Sequence, residues 1–232
     1  SGGIVSVLGL VPGTITVTGV TQANSVDLVS VNGINVGNVN ATTGSISLNA
    51  QGGALAAGNV DAATTAILSG NSVVAGDVVA RSGLARVLAT NAITTSSVTS
   101  LAGSIDVDST GGGALDLGNL SATTSITIDG AGALSAGSVE AASVSLGRTT
   151  ALSLASFSGA VATSDFYAAV QNALTFGAVN RIGAISGLST GSALSLDNDT
   201  TDLAVSGLVT AGSNDITIRN TGDITIGASG QL

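Results

Sequence analysis

Apolar residues alternate with other residues in many short stretches of this chain, most clearly in GSISLNAQGGALAAGNVDA (residues 44–62). Within that segment, ISL, LAA and VDA are three apolar-x-apolar pieces separated by Gly, Asn, Gln or Ser. Alternation with a period of two is typical of β-strands that bury one face. Pieces this short do not form free-standing hairpins, and their joints lack the Asn-Gly or Asp-Gly turns of hairpins. The pattern therefore predicts a coil in which each turn lays its strands on those of the turn before.

The piece ALAAGNVDA (residues 54–62) recurs along the chain at nearly constant spacing. Its nine copies begin at residues 33, 54, 72, 92, 114, 133, 151, 173 and 193, and steps measured at their fifth positions are 18 to 22 residues long. A period near 20 residues is typical of a solenoid and leaves room for three short strands per turn. We therefore predict an all-β fold, a parallel β-helix of about ten turns. The general preference of parallel crossovers favours the right-handed form.

The repeat also predicts which side chains point into the coil, in three stacked columns. The first column holds Ile46, Ile67, Val87, Ile105, Ile126, Val144 and Ile185; the second holds Leu55, Val73, Ile93, Leu115, Leu134, Leu152, Leu174 and Leu194; the third holds Val60, Val78, Val98, Leu120, Val139, Phe157 and Val179. Because successive turns of such a coil lie ~4.8 Å apart, we expect a rod of roughly 50 Å.

The composition agrees with a narrow β-coil. Of the 232 residues, 44% are hydrophobic but only 2% are aromatic, so Ala, Val, Leu and Ile must fill the interior. Small and branched side chains suit the inside of a thin coil. The chain also holds 33 Gly and one Pro, and we expect the glycines to supply positive φ values at the corners.

We interpret residues 1–232 as a single β-helix segment, a fragment of a longer chain. Residues 1–30 are the least regular part and are interpreted as variant first turns, since GTITV (residues 13–17) matches GSISL (residues 44–48). The first residues have neither an initiator Met nor the charged-then-apolar layout of a signal peptide, and the last repeat stops in mid-pattern. We therefore expect both ends to have been cut.

The charge of the chain argues against two classes of partner. Fourteen acidic and five basic residues give a net charge of -9, and the basic residues, all Arg, form no cluster. Nucleic acids and anionic membrane surfaces are bound through clustered Lys and Arg, so we expect neither as a partner. Since no apolar run approaches the ~18 residues of a membrane helix, we also expect no direct insertion into a membrane.

One stretch, GAVATSDFYAAVQNAL (residues 159–174), departs from the repeat and contains Phe166 and Tyr167. In one interpretation it is a protruding loop or short helix, capped by Ser164, that presents both aromatic side chains to a partner, because exposed aromatics anchor interfaces. In the other it is a variant turn with a larger core layer. The sequence leaves both interpretations open.

An acidic cluster formed by Asp197, Asp199 and Asp202 is a weak candidate for a metal site. Three carboxylates within six residues could hold Ca²⁺ together with backbone carbonyl groups. The Gly-Gly-x-Gly-x-Asp nonapeptide of calcium β-rolls is absent, however, and Asp is also a common turn former. We expect no other cofactor.

Catalytic chemistry has few residues to draw on. The chain has no His, Cys or Lys, which excludes the common triads and a Schiff-base lysine. A carboxylate pair such as Asp106 and Asp129 on neighbouring turns could act as acid and base on a polysaccharide. Such sites usually add Arg, Lys or aromatic residues to bind the sugar, and these residues are scarce here. We therefore predict a protein that is not an enzyme.

Three segments carry a resemblance to a known family. NTGDITIGASGQL (residues 220–232), GSIDVDSTGGGALDLGNLSA (residues 103–122) and GSISLNAQGGALAAGNVDA resemble the degenerate repeats of filamentous haemagglutinin-type exoproteins. The resemblance covers the chain from about Gly33 onward, and its motifs specify the coil and not a ligand. It implies a right-handed parallel β-helix exported by a two-partner system of Gram-negative bacteria.

The same resemblance implies a structural, non-catalytic rod of a secreted adhesin or exoprotein at the bacterial cell surface, with a role in adhesion, biofilm formation or cell contact. The partners it implies are a host or bacterial surface receptor, a matrix glycan and an outer-membrane secretion partner. The coil itself suggests an alternative. Uncapped end turns have unpaired strand edges, so the chain could form an extracellular filament, a homo-polymer, by end-to-end stacking.

Overall fold

A computed structural model describes residues 3–9 and 13–232 of the chain. These residues form 28 short β-strands and no helix. The strand ladders are parallel, and paired residues lie about one turn apart in sequence, as in Ile4↔Ser25 and Ile105↔Ile126. The fold is a β-solenoid of about 11 turns with about 20 residues per turn. The predicted fold class, period and approximate number of turns are therefore confirmed.

Each turn has three sides, which we call faces 1, 2 and 3 in the order in which the chain visits them. Face 1 holds β1 (Ile4–Gly9), β4 (Ser25–Ser30), β7 (Ile46–Ala50), β10 (Ala66–Gly70), β12 (Ala85–Ala89), β14 (Ile105–Ser109), β16 (Ser125–Gly130), β23 (Ala184–Ser189), β25 (Asp202–Val205), β26 (Val209–Thr210) and β28 (Asp223–Ile226).

Face 2 holds β2 (Ile15–Val17), β5 (Ile34–Val36), β8 (Leu55–Ala57), β17 (Ala133–Ala136), β19 (Leu154–Phe157), β21 (Leu174–Phe176), β24 (Leu194–Asn198) and β27 (Ile216–Asn220), and face 3 holds β3 (Thr21–Ala23), β6 (Val39–Ala41), β9 (Val60–Ala62) and β22 (Arg181–Ile182).

Five longer strands continue around a corner of the coil. The strands β11 (Val73–Ala80), β13 (Ile93–Ser100) and β15 (Leu115–Ala122) pass from face 2 to face 3, and β18 (Val139–Leu146) and β20 (Val161–Ala169) pass from face 3 to face 1. All strands except β24 and β27 join one sheet. We expected the first turn to be irregular, but it pairs regularly with the second turn through β1 and β4. Residues 1, 2 and 10–12 of the predicted irregular region lie outside the described residues.

Inward residues of the three faces stack into a continuous apolar core. The first column runs through Val26, Ile46, Ala66, Ala85, Ile105, Ile126, Val144, Phe166, Ile185 and Val205; the second runs through Ile15, Ile34, Leu55, Val73, Ile93, Leu115, Leu134, Ala155 and Leu174; the third runs through Val39, Val60, Val78, Val98, Leu120, Val139 and Val161. Most of the predicted column members are confirmed.

Two members of the predicted first column are wrong. Ile67 pairs with Ser47 and Arg86 on the outer side of face 1, and Ala66 takes the inward position. Val87 is buried, but it pairs with Leu68 and belongs to the next inward column along the strand. Because the side-chain period of a strand is two, an offset of one residue reverses the face, whereas an offset of two only changes the column.

The second and third columns also differ from the prediction in the later turns. Leu152 bridges to Val170 instead of joining the second column, where Ala155 takes its place. Leu194 pairs with Ile216 in the separate two-stranded sheet. Phe157 pairs with Ala136 and Phe176 in a different inward column. Val179 is 57% exposed, because Asn180 and not Val179 takes the inward position next to Val161 in the third column.

Glycines at the corner between faces 2 and 3 allow neighbouring turns to approach closely. A Cβ atom on Gly118 would lie only 1.6 Å from the backbone oxygen of Ser96, and one on Gly37 would lie 2.0 Å from that of Gly19. Neither Gly37 nor Gly118 has a positive φ, and five of the described glycines do. The expectation that positive φ values explain the corner glycines is therefore wrong for Gly37 and Gly118, where the reason is steric, although Gly19 at the same corner of the first turn has a φ of 94°.

Candidate functional site

A groove crosses the corner between faces 3 and 1 in the middle turns of the coil. On one side of it the corner segment 101–104 joins β13 to β14, and on the other the segment 199–201 joins β24 to β25. Between these two segments, only residues 123–124 separate β15 from β16, β18 and β20 run through the corner unbroken, and Gly183 alone separates β22 from β23. The shortened corners leave a groove of about 1000 Å³.

Small side chains form the floor of this groove, and polar side chains border it. Ala142, Ala162 and Ala184 line the floor. Glu140 and Arg181, which also line the groove, both pair with Ala162 in the ladder, one on each side. The two charged residues are thus two turns, or ~10 Å, apart along the rod with a methyl group between them.

Arg181 differs from the other four arginines in the described structure, each of which has a side-chain partner. The other arginines have partners: Arg81 binds Asp61, Arg86 lies beside Asp106, Arg219 lies beside Asp197, and Arg148 stacks on Tyr167. Among the described residues, Arg181 and Glu140 form no ion pair. The groove therefore presents an unpaired cation and an unpaired anion to solvent.

An acidic patch lies on the outer side of face 1, formed by Asp106, Asp108 and Asp129. Asp106 and Asp129 lie on neighbouring turns, as expected, but they are not opposite each other: Asp108 faces Asp129 in the ladder, and Asp106 faces Thr127. The Arg86 Nε atom lies 2.9 Å from Asp106 Oδ2, an ion pair whose geometry falls short of a hydrogen bond.

Asp108 is the member of this patch with a perturbed acidity. Burial raises the pKa of Asp108 above its ordinary value of 3.8, the charges of Asp129 and Asp106 raise it further, and Arg86 acts in the opposite direction. A carboxyl group that keeps its proton to higher pH can act as an acid, although structural charge clusters produce the same shift. Asp129 also has a structural role, since its Oδ1 atom accepts a hydrogen bond of 2.9 Å from Thr149 N.

The three carboxylates of the weak calcium candidate have separate partners. Asp197 lies 3.4 Å from Arg219, and Asp199 accepts a hydrogen bond of 2.7 Å from Thr221. Asp202 begins β25. Across residues 3–9 and 13–232, no group of three or more acidic, His or Cys side chains is arranged to hold a metal ion. The structure therefore does not bring Asp197, Asp199 and Asp202 together as one site.

The aromatic stretch is a variant turn and not a protruding loop. Phe166 lies in the regular strand β20 and is 0% exposed, so its prediction as a partner contact is wrong. Its ring packs 5.9 Å from that of Phe176, which lies 5.8 Å from that of Phe157. Phe166 occupies the inward position that the alternation of the strand prescribes, and the three Phe side chains form one aromatic cluster in the core that spans neighbouring turns.

Tyr167 does point outward, but its ring is partly covered. The Arg148 guanidinium lies 4.6 Å from the ring centroid, a cation–π arrangement. On the next turn Gly187 pairs with Tyr167, and a Cβ atom there would lie 3.0 Å from the ring. The residue therefore contacts its own rod on two sides, and its role in binding a partner stays a prediction.

Sequence reasoning missed an asparagine ladder in the last turns. Asn180 and Asn198 are buried, and their Oδ1 atoms accept hydrogen bonds of 2.9 Å from Val161 N and 2.8 Å from Ile182 N. Asn198 also donates to Asn220 Oδ1 at 3.0 Å. The recurrence of Asn at steps of 18 and 22 residues was visible in the sequence and could have indicated the ladder.

Both end turns expose apolar side chains. Ile4, Leu8 and Val20 of the first turn are 74%, 60% and 69% exposed. Leu208 and Ile226 at the other end are exposed by half or more. The chain holds no charged residue before Asp27, so the first turn lacks the charges that usually protect a free strand edge.

Together these features define the class of the molecule as a parallel β-solenoid with a groove at one corner. No family model matches the chain, and no curated protein or solved structure is significantly similar to it. In the described part of the chain, no helix is long and apolar enough to cross a membrane.

Proposed function

We propose that this chain is a structural, non-catalytic rod of a secreted bacterial surface adhesin or exoprotein, which mediates adhesion, biofilm formation or cell contact. The observation that carries the proposal is the continuous stack of about 11 turns around one apolar core. At ~4.8 Å per turn, the stack gives a rod about 50 Å long. Such a rod holds surfaces apart and displays residues along its length, which is what an adhesin requires of its shaft.

The resemblance of the repeats to filamentous haemagglutinin-type exoproteins supports the cell-surface location. Under this proposal the rod is exported through an outer-membrane secretion partner and meets a host or bacterial receptor or a matrix glycan. The outer columns of the coil are rich in Ser, Thr and Asn, which offer hydrogen-bonding groups without large apolar patches. Binding along the sides of the rod therefore depends on polar recognition.

The chain offers a simple test of adhesion, because it has no Lys and an amine-reactive dye attaches only at its N-terminus. Labelled monomer is incubated with intact epithelial cells and with Gram-negative bacteria, with and without excess unlabelled chain. The proposal predicts saturable binding to at least one of these surfaces that the unlabelled chain displaces. A signal that rises linearly and resists competition on both would contradict it.

The exposed apolar end turns favour a second function, a subunit of an extracellular filament. A second copy stacked end to end would pair the free edge of β1 and cover Val7, which stacks on the inward residue Leu28 and is 43% exposed. Such a head-to-tail contact does not close on itself and so continues into a fibre.

Charging the first edge separates the two functions. Light scattering across a concentration series, with negative-stain images, is recorded for the parent, for Val7→Lys and for Val74→Lys, a control at a 53% exposed outward position on face 2. Filaments in the parent and the control but not in Val7→Lys would establish stacking through this edge. Monomers at all concentrations would rule stacking out.

A further inference from the structure

The groove at the shortened corner has the dimensions of a ligand site. Its volume of about 1000 Å³ lies at the upper end of the range for small-molecule sites. The lining runs from Leu101 to Thr200 past the corners of four intervening turns, or roughly 24 Å along the rod. The corner segments 101–104 and 199–201 border the groove at its two ends.

The polar groups around the groove are free to bind. Ser121 and Ser164, both exposed, line it and use their hydroxyl groups in no hydrogen bond within the described structure. Arg181 supplies further donors, and Glu140 supplies two acceptor oxygens. Between them lie only the methyl groups of the alanine floor. Donors and acceptors therefore surround a shallow apolar strip.

This arrangement does not suit a peptide. The floor strands β18 and β20 are paired with neighbouring turns on both sides, so no free strand edge is available to an added peptide strand. The groove lining contains no aromatic side chain, and Leu101 is its one large exposed apolar residue. A sugar would therefore be held mainly by hydrogen bonds to the polar border, with Arg181 as the one basic group.

We propose that the groove binds a short stretch of neutral carbohydrate, a few sugar units long. A sugar ring presents C–H groups on its face and hydroxyl groups at its rim, which match the alanine floor and the border of Ser121, Ser164, Glu140 and Arg181. Hydroxyl groups can donate to Glu140 and accept from Arg181 at the same time. The net charge of -9 disfavours an acidic polymer.

This inference deepens the proposed adhesive function and rests on it for its biological meaning, since the groove would then be where the rod holds a surface glycan. Ala162→Phe is the main test variant, because a ring at this outward position fills the centre of the floor. Ala56→Phe places the same ring at an outward position on face 2 and is the control. Circular dichroism establishes that both variants are folded, and Glu140→Gln is a milder change within the groove.

The parent and the variants are titrated by NMR with short oligomers of glucose, of N-acetylglucosamine and of galacturonic acid, and with a pool of extended hexapeptides. We expect at least one neutral oligomer to bind, Ala162→Phe and Glu140→Gln to weaken it about tenfold or more, and Ala56→Phe to bind as the parent does. The inference is overturned if no neutral oligomer binds up to about 10 mM. It is also overturned if Ala162→Phe leaves binding unchanged, or if only the acidic oligomer or the peptides bind.

The cell-binding test distinguishes failure of this inference from failure of the proposed function. If neutral oligomers bind the parent but not Ala162→Phe, the groove is supported as a carbohydrate site. If the labelled chain binds no cell in that case, only the adhesive function is contradicted. Cell binding that is equal for the parent and Ala162→Phe, with no oligomer bound, keeps the rod's function and overturns the groove site.

Discussion

Leu115 lies in the second inward column, where it pairs with Ile93 on one turn and Leu134 on the next. Only 1% of the residue is exposed, so its side chain is surrounded by other apolar groups. In a solenoid each turn contacts only its neighbours, and a fault in one turn therefore weakens the contacts on both sides of it.

Leu115→Asp should be strongly destabilising, because it places a carboxylate without a partner in this column. We expect a loss of about 3 kcal/mol or more in the free energy of unfolding, a large part of the ~5–15 kcal/mol of a typical domain. Chemical denaturation followed by circular dichroism measures the change. The control is Asp116→Asn at the next, outward position, where the effect should stay within about 0.5 kcal/mol. Equal stability of both variants would refute the inward column.

Asp108 gives a prediction about pH. Because its pKa is raised in the folded chain, ionisation costs more in the folded than in the unfolded state. Below the ordinary value of 3.8 the group is protonated in both states and has no effect, whereas above the raised pKa the full cost is present. Asp108→Asn should therefore stabilise the chain at pH 7 by less than about 1 kcal/mol, since solvent screens this half-exposed group.

This gain should fade as the pH falls towards 3.8, which thermal unfolding at a series of pH values would reveal. Asp116→Asn on face 2 is the matched control for the loss of one acidic side chain. A gain from Asp108→Asn that persists unchanged in acid would show that the cause is not the charge of Asp108.

The limits of sequence reasoning at this scale follow from the geometry of a strand. The repeat predicts Ile67 in the core, but the register of β10 places Ala66 inside. In a chain so rich in Ala, Val and Ile, both faces of a strand can look apolar, and only pairing with the neighbouring turns decides between them. At Phe166, in contrast, the sequence pattern was sufficient, because strict alternation within β20 would have placed the side chain in the core.

At the scale of an element, the asparagine ladder binds the last turns to one another. Asn198 accepts a hydrogen bond from Ile182 N, donates to Ile182 O at 2.9 Å and donates to Asn220 on the next turn. It is 3% exposed, so water cannot replace these bonds without a change in structure. The corner thus holds three turns in register through side chains.

Asn198→Ala should leave the Ile182 amide without a buried partner and cost about 1–3 kcal/mol in stability. Hydrogen exchange should show the fastest increase at the Ile182 amide, because that amide donates to the deleted side chain. Asn38→Ala is the control, since the bond from Asn59 N to Asn38 Oδ1 is exposed and water can replace it. Equal losses for the two variants would contradict a special role for the buried ladder.

The existence of strands was predictable, but the lengths of the corners were not. Alternation predicts a strand near Val139 and another near Val144, yet it does not show that β18 runs through both. Whether two residues between apolar positions form a turn or continue a strand depends on how the adjacent turns pack. The groove arises from that choice in three successive turns, so the sequence pattern alone did not reveal it.

At the scale of the whole molecule, the stack of turns fixes the shape and leaves function to the surface. The core columns repeat, whereas the outer residues differ from turn to turn. Length therefore comes from repetition, and specificity comes from local departures such as the groove and the acidic patch. The exposed end turns are the one feature that would convert a rod of fixed length into a filament.

Small-angle X-ray scattering of the chain over a concentration series tests the central claim most directly, because it reports mass and longest dimension together. A monomeric rod predicts a mass of 21.9 kDa and a longest dimension set by the ~50 Å stack, both independent of concentration. Growth of both quantities with concentration would contradict a rod of fixed length and favour the filament. A compact, nearly spherical particle would contradict the rod itself.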